Sequence, residues 1–397
     1  MDNITNRARE LGKHPDQDNY ASFFPYYAEF SALSEFRKKP GVGIELSSGI
    51  GGHSVLYLNG VKVDRTANGY PLLQVCGEDE SPATVGAGIS VNEHYRNANW
   101  IAIEGRDFFM RGTLGVGEPL THENYLHTQE QAKAFGILDG IEFHSQFLNN
   151  KPRGMSTQDY MYELSIATDF AVRFGRDAYC ARVPLDREQM EAVVNYLNML
   201  NHPYREGSKQ YTWKLFNDNC VHVAHNALAQ AGIWPAWPTG QWAVRAAFRF
   251  PVPKNTFVDL VLRTNDLPLT DAKSLLTDAN VRSSLLRWGS LPTKPGALTI
   301  FEPAILPNDI YDVYRNLKLI FYDNPFWGPY RFHLKRIFKS LRYTQLRDNL
   351  THFVDIYSRA QYFQKHIEED LRECYNAHII RFRGEASRIL RYLEEAT

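Results

Sequence analysis

Residues 41 to about 113 constrain the fold more than any other part of the chain. GVGIELSSG, HSVLYLNGVKVDR, YPLLQVCG, GAGISVNEHY and NWIAIEGRDFFMRG are short apolar runs, each bounded by Gly, Asn or Asp, and read as strands. Asn59-Gly60 separates two alternating runs; a type I′ turn needs φ > 0 at both central positions, so the pair predicts a hairpin. From about 121 to 203 the period becomes helical. Asp186, with Gln189 three residues on, caps a run whose Met190, Val193, Val194, Leu197 and Leu200 share a face, with an expected end near His202-Pro203. DAYCARVPL (177–185) reads as a strand before it.

A stretch with Pro251, Pro253, Pro268, Pro292, Pro295, Pro303 and Pro307 reads as irregular structure between two regions. From 308 onward helices dominate, and Leu346, Leu350, Phe353, Val354, Tyr357, Ile367, Leu371 and Cys374 fit one stripe of a long helix. The expected division is a domain over 1–245, a connecting region over 246–307 and a helical region over 308–397, together an α+β protein. Of 397 residues 44% are hydrophobic, enough for one large core or two to three smaller ones. Lys plus Arg number 44 against 45 Asp plus Glu, so no polyanion or nucleic-acid partner is expected. No window reaches about 18 consecutive apolar residues, which argues against a membrane span. MDNITNRARELGKHPDQDNY carries no apolar leader, so a cytoplasmic location is expected, or export by a specialised route that needs no signal. Cys76, Cys180, Cys220 and Cys374 are too scattered for a disulfide framework and are expected as free thiols.

The segment WKLFNDNCVHVAHNALAQAGIWP carries the most chemistry. Asp218 and Asn219 are N-cap types, apolar residues follow at helical spacing, and Gly232 and Pro235 close the element. Cys220 therefore falls in a first turn, where unpaired N–H groups and the helix dipole lower a thiol's pKa. The N–H groups near Asn219 and Val221 can serve as an oxyanion hole. The alternative is one more small buried residue, since free Cys is often buried.

A thiol nucleophile needs a base, and His53 is the candidate because it opens a strand after the flexible SSGIGG. Counting back through the expected Asn59-Gly60 hairpin sets His53 opposite Thr66 and diagonal to Asp64, which would orient the imidazole as a third catalytic group. A surface carboxylate is the plain alternative for Asp64, and Asn92, His94 and Glu104 are rivals for the orienting role. His222 is a further candidate for the cleft, together with Thr66 and His94. No metal site or cofactor is expected: Cys220, His222 and His225 form a C-x-H-x-x-H cluster, but residues two and five apart do not share a helix face.

GGHSVLYLNG, VPLDREQMEAVVNYLNML and YTWKLFNDNCVHVAHNALAQAGI together resemble a bacterial family of unknown-function domains that includes lipoprotein intramolecular transacylases. More distantly the chain resembles the circularly permuted NlpC-type, papain-like superfamily of the lecithin:retinol acyltransferases. The resemblance covers roughly residues 40 to 235. It implies a permuted papain-like antiparallel sheet packed on a Cys-bearing helix, with His53 as general base and Cys220 as acyl-carrying nucleophile. The expected reaction is acyl transfer through a Cys220 thioester on an ester or amide substrate, hydrolysis and transfer both remaining open. A lipid or lipidated substrate stands first, a peptide or peptidoglycan amide second, the latter as an exported effector. A non-catalytic membrane- or protein-binding scaffold is the reading from another class.

Two weaker signals remain. FYDNPFWGPYRFHLKRIFKSLRY interleaves cationic and aromatic residues over 326–343, which suits peripheral contact with an anionic membrane as well as an ordinary helix with a solvated basic face. GTLGVGEP (112–119) is Gly-rich but lacks the features of a nucleotide loop, and reads as a loop.

Overall fold

The computed structural model describes residues 20–46, 52–77, 79–214, 218–239, 252–313 and 330–395. Its centre is a six-stranded antiparallel sheet in the order β6-β5-β2-β1-β7-β8; β3 and β4 form a separate ribbon. The strands are β1 (Tyr27–Leu33), β2 (His53–Asn59), β3 (Val61–Arg65), β4 (Pro71–Val75), β5 (Gly86–Ser90), β6 (Ile101–Glu104), β7 (Ala178–Pro184) and β8 (Leu298–Glu302). The longer helices are α1 (Arg106–Arg111), α2 (His122–Ala134), α3 (Thr157–Ser165), α4 (Arg187–Arg205), α5 (Cys220–Gln230), α6 (Pro253–Asn265), α7 (Ala279–Trp288), α8 (Tyr330–Ile337), α9 (Leu346–Ala360) and α10 (Glu369–Glu395). The protein is α+β with a mostly helical C-terminal region. None of the described helices is long and apolar enough to cross a membrane.

Strands β1, β2 and β7 are buried along their whole length, so both faces of the sheet's centre are covered. That explains why YAEFSAL, the central strand β1, shows no alternation by which a strand is normally read. The helix after it follows its sequence signals. Asp186 N–H donates to Gln189 Oε1 at 3.0 Å as the reciprocal cap requires, and Met190, Val193, Val194 and Leu197 are buried. It runs on to Arg205, with Pro203 in its last turn.

The expected hairpin does not form. Gly60 turns the chain, at φ +80°, but directs it out of the sheet: β2 pairs with β1 and β5, while β3 pairs with β4. The turn's polar groups are engaged elsewhere. Asn59 Nδ2 donates to the carbonyls of Pro25 (2.7 Å) and Pro82 (3.0 Å), and Gly60 N–H to that of Val85 (2.7 Å). A Cβ at Gly60 would lie 2.5 Å from the Tyr26 ring, so only glycine allows this crossing.

Four other expectations change. Residues 41–46 are turn and bend, not strand, and 47–51, most of SSGIGG, lie outside the described residues. RDFFMR is α1, because β6 stops at Gly105, itself at φ +78°. The Pro-rich 246–307 region is not merely irregular. It supplies α6, with Pro253 in its first turn where a missing N–H costs nothing, and β8, which pairs with β7. The expected long helix from 346 is α9 and α10, broken over Gln361–His366 and packed on one another; Phe353, Tyr357, Leu371 and Tyr375 form a satellite core there with Leu269, Leu285 and Leu291.

Candidate functional site

The start of α5 is built as its sequence indicates. Asn219 is the N-cap, its Oδ1 accepting from His222 N–H at 3.1 Å, and Cys220 is the first helical residue. The helix packs against β2 with Cys220 beside Ser54; Ser54, the backbone of Val221 and the charge of Arg176 favour the thiolate, although Ser54 Oγ makes no hydrogen bond among the described residues. These influences lose to burial, which raises the thiol above its ordinary value. The direction of the shift is opposite to that expected of a helix-acidified thiol. Desolvating a thiolate costs more than one helix terminus returns.

His53 opens β2 directly after Gly52, whose φ is +75° and where a Cβ would lie 2.2 Å from the Leu33 carbonyl oxygen. Only glycine lets the strand begin there. His53 and Ser54 are sequential, so their side chains leave opposite faces of the sheet. Tyr57 pairs with Gly88, which puts His53, Val55 and Ser90 on one face. There His53 Nε2 lies 3.3 Å from Ser90 Oγ, Ser90 donates to Asp169 Oδ1 at 2.7 Å, and Asn92 Nδ2 donates to both oxygens of Asp169 at 3.3 and 3.1 Å. Because the Ser90 proton is committed to the carboxylate, Ser90 Oγ must accept from His53 Nε2–H, and Nδ1 keeps the lone pair. Burial first and the Arg176 charge second lower His53 to about 3, so the ring is neutral at pH 7.

Arg176 is 1% exposed and acts on both candidates. Its Nε donates to the Ala167 carbonyl and its Nη1 to that of Ser34, both at 3.1 Å, and burial lowers it to about 10 without neutralising it. Thus the β2 start carries a neutral imidazole with a fixed tautomer, a partly buried thiol beside the neighbouring serine, and a buried cation near each. No hydrogen bond joins His53 to Cys220 among the described residues.

Asp64 and Thr66 are not part of this group. With the hairpin absent, Asp64 pairs across to Leu72 and is exposed, and Thr66 closes the β3–β4 turn by bonding Asn68 and Tyr70. The carboxylate that reaches the His53 ring, through Ser90, is Asp169, which the sequence reading missed. It lies between Ala167 (φ +63°) and Ala171 (φ +50°), left-handed conformations costly for alanine, and burial raises its pKa against the pull of Ser90, Tyr95, Asn92 and Ser165. Of the named rivals, Asn92 joins the group through Asp169, whereas Glu104 is exposed at the opposite end of its strand pairing. The His94 ring stacks on Phe143 and meets Phe147 edge-on, and burial lowers it to about 4. His222 Nδ1 lies 2.9 Å from Asn219 Oδ1, and the residue lines a cleft of about 290 Å³ with Tyr196, Tyr204 and Asp218, as expected of a cleft residue; His225 is sandwiched between Trp234 and Trp237.

No protein-family model, curated protein or solved structure matches the chain.

Proposed function

We propose that the protein is a cysteine-dependent acyl hydrolase or acyltransferase of permuted papain-like kind, with Cys220 as nucleophile and His53 as general base. The observation that carries this reading is the His53–Ser90–Asp169 chain, built at the start of β2 one residue from Ser54, the neighbour of Cys220. The buried carboxylate holds a neutral imidazole through a hydroxyl and leaves Nδ1 as a base.

In the proposed reaction Nδ1 takes the thiol proton, and the thiolate adds to the carbonyl carbon of an ester or amide. Collapse of the tetrahedral oxyanion breaks the bond to the leaving oxygen or nitrogen, which receives the proton from Nδ1. Water or an acceptor then gives its proton to Nδ1, attacks the thioester and releases Cys220. N–H groups at the α5 start, near Asn219 and Val221, favour the oxyanion. The resting pair is neutral and unbonded, and His53 and Ser54 leave opposite faces of β2, so the proton transfer requires the first residues of β2, after Gly52, to rearrange as substrate enters.

A lipid or lipidated substrate is the first choice, with a peptide or peptidoglycan amide as the alternative. Phe332 is 64% exposed on α8, which suits an apolar surface, but Arg336 and Arg342 both engage Asp266, so the basic run offers less free charge than its sequence suggests. Residues 326–329 of that run lie outside the described residues. The unbonded His53–Cys220 pair favours one other reading, a scaffold that keeps the fold without the chemistry.

The test is to incubate the chain with activated esters and amides and to examine the Cys220 peptide by mass spectrometry. The expected result is a hydroxylamine-labile acyl adduct on Cys220, absent in Cys220→Ala and at least about a hundredfold slower to form in His53→Ala. Turnover that survives Cys220→Ala, or no adduct with any substrate, would leave the scaffold.

A further inference from the structure

The 290 Å³ cleft between α4 and α5 is lined by Tyr196, Leu200 and Tyr204 of α4, by His222 and Asn226 of α5, and by Asp218. His222 and Asn226 lie about 200° and 240° around the helix from Cys220, which packs toward β2, so the cleft opens on another flank of α5 than the thiol. Its anion is Asp218. The backbone of this residue is fixed, because its N–H and carbonyl both bond Lys214, at 3.0 and 2.9 Å, and Tyr211 Oη donates to the carbonyl at 3.4 Å. The carboxylate is part-buried and poorly served. Asn99 Nδ2 donates to Oδ1 at a long 3.4 Å, and among the described residues Oδ2 has no donor and no Lys or Arg pairs with it.

Burial raises Asp218 to about 6, against the Asn99 bond and the charge of exposed Lys214. Lys209, on the rim, is exposed and forms no ion pair with it. Burial also raises Tyr196, to about 12, and Tyr204, and the Asp218 charge adds to both, so the two phenols stand close to the carboxylate. The remaining polar wall is occupied. Asn226 Nδ2 donates to the Trp237 carbonyl and its Oδ1 accepts from Trp237 N–H, while His222 Nδ1 lies on Asn219. An unpaired, half-buried carboxylate beside aromatic rings gains from a cation that also covers apolar wall. A primary ammonium would bring three N–H donors to one unbonded oxygen, whereas methyl groups suit Leu200 and the tyrosine rings. The volume is near the lower end for small-molecule sites, about 300 Å³, and fits a head group.

We infer that this cleft binds a quaternary ammonium head, its charge on Asp218 and its methyl groups against Tyr196, Leu200 and Tyr204. The inference does not rest on the thiol chemistry.

Isothermal titration of the full chain tests it, with choline, its neutral isostere 3,3-dimethylbutanol, N-acetyl-lysine methylamide and dihexanoylphosphatidylcholine, at about pH 8 and about pH 5, either side of the Asp218 titration. The variants are Asp218→Asn, which keeps the size and the Asn99 contact and should melt with the parent, and Tyr204→Leu, which tests the aromatic wall independently. Saturable choline binding is expected at about pH 8, at least about tenfold weaker for the neutral isostere, at about pH 5 and in Asp218→Asn, and several-fold weaker in Tyr204→Leu. The residual affinity of Asp218→Asn should not change with pH; a fall that persists there would place the charge on His222 and overturn the assignment. No choline binding, equal affinity for the isostere, or full affinity in both variants would overturn the site. The lysine derivative binding about tenfold tighter than choline would overturn the quaternary assignment. Tighter binding of the phospholipid than of choline would name a lipid head as the source, and weaker binding a free small molecule; both keep the site.

Discussion

His53 makes the start of β2 acid-sensitive. An ordinary histidine titrates near 6.5, and this one is lowered to about 3 by burial and by Arg176. Below 6.5 the unfolded chain takes up a proton that the folded chain refuses, so stability is present above that pH and is lost as pH falls toward 3. The loss is about 3 kcal/mol by pH 4. Urea unfolding at pH 7 and pH 4 should show this drop, and His53→Gln, with no proton to accept, should fall less by about that amount; equal drops would mean that the imidazole is solvated. The thiol behaves in the opposite sense, because burial raises it. Iodoacetamide should modify Cys220 slowly below pH 7 and faster through the alkaline range, and a fast plateau at pH 6 would contradict the raised thiol. Asp169→Asn separates the orienting role from both effects. An amide can donate back to Ser90 and release the tautomer, so acyl-adduct formation should slow at least tenfold while the alkylation profile of Cys220 stays unchanged.

The elements carrying these residues were unequally readable in the sequence, for reasons that can be stated. The α5 start was legible because capping is local: Asn219 bonds an N–H three residues away, and the same holds for Asp186 and Gln189. Strand β1 was not, since a strand buried on both faces loses the alternation that marks it. Asn59-Gly60 signalled a reversal, yet whether that closes a hairpin depends on Pro25 and Pro82 carbonyls that are distant in sequence. That non-local choice moved Asp64 and Thr66 away from His53. Asp169 was hidden more deeply, in a segment without periodicity whose left-handed turns fall on alanines rather than glycines. Such strain can be measured. Replacing Ala167 or Ala171 by Gly should stabilise the fold by about 1 kcal/mol each in thermal or urea unfolding, because glycine reaches positive φ without the Cβ conflict. If acyl-adduct formation slows in the same variants, the strained loop holds Asp169 on Ser90 rather than merely tolerating it.

At the scale of the molecule, the Pro-rich region and the C-terminal helices belong to the body that carries the site. Strand β8 covers the edge of β7, α6 packs against β1 and β7, and one core runs from Tyr20 through Val55, Phe257 and Ile300 to Leu346 and Leu393. Polar contacts cross the same span. Lys294 Nζ donates to Asp186 Oδ2 (2.7 Å) and to Gln189 Oε1 (2.6 Å), and Arg381 Nη2 to Asp186 Oδ1 (2.6 Å), so the cap of α4 is held by groups more than a hundred residues away. Glu29 does likewise, since β1 leaves its fully buried carboxylate to arginines of α1 and β7. A chain ended at 245 would expose the β7 edge as an unpaired template and remove Glu302, leaving Arg106 and Arg173 short of a counter-charge. Residues 1–245 alone should therefore aggregate or elute as an expanded species on size exclusion, without the cooperative unfolding of the full chain. A monomeric, cooperatively folding 1–245 fragment that still forms the Cys220 acyl adduct would show instead that the later strand and helices sit on a finished domain, and their purpose would then have to be sought in what they bind.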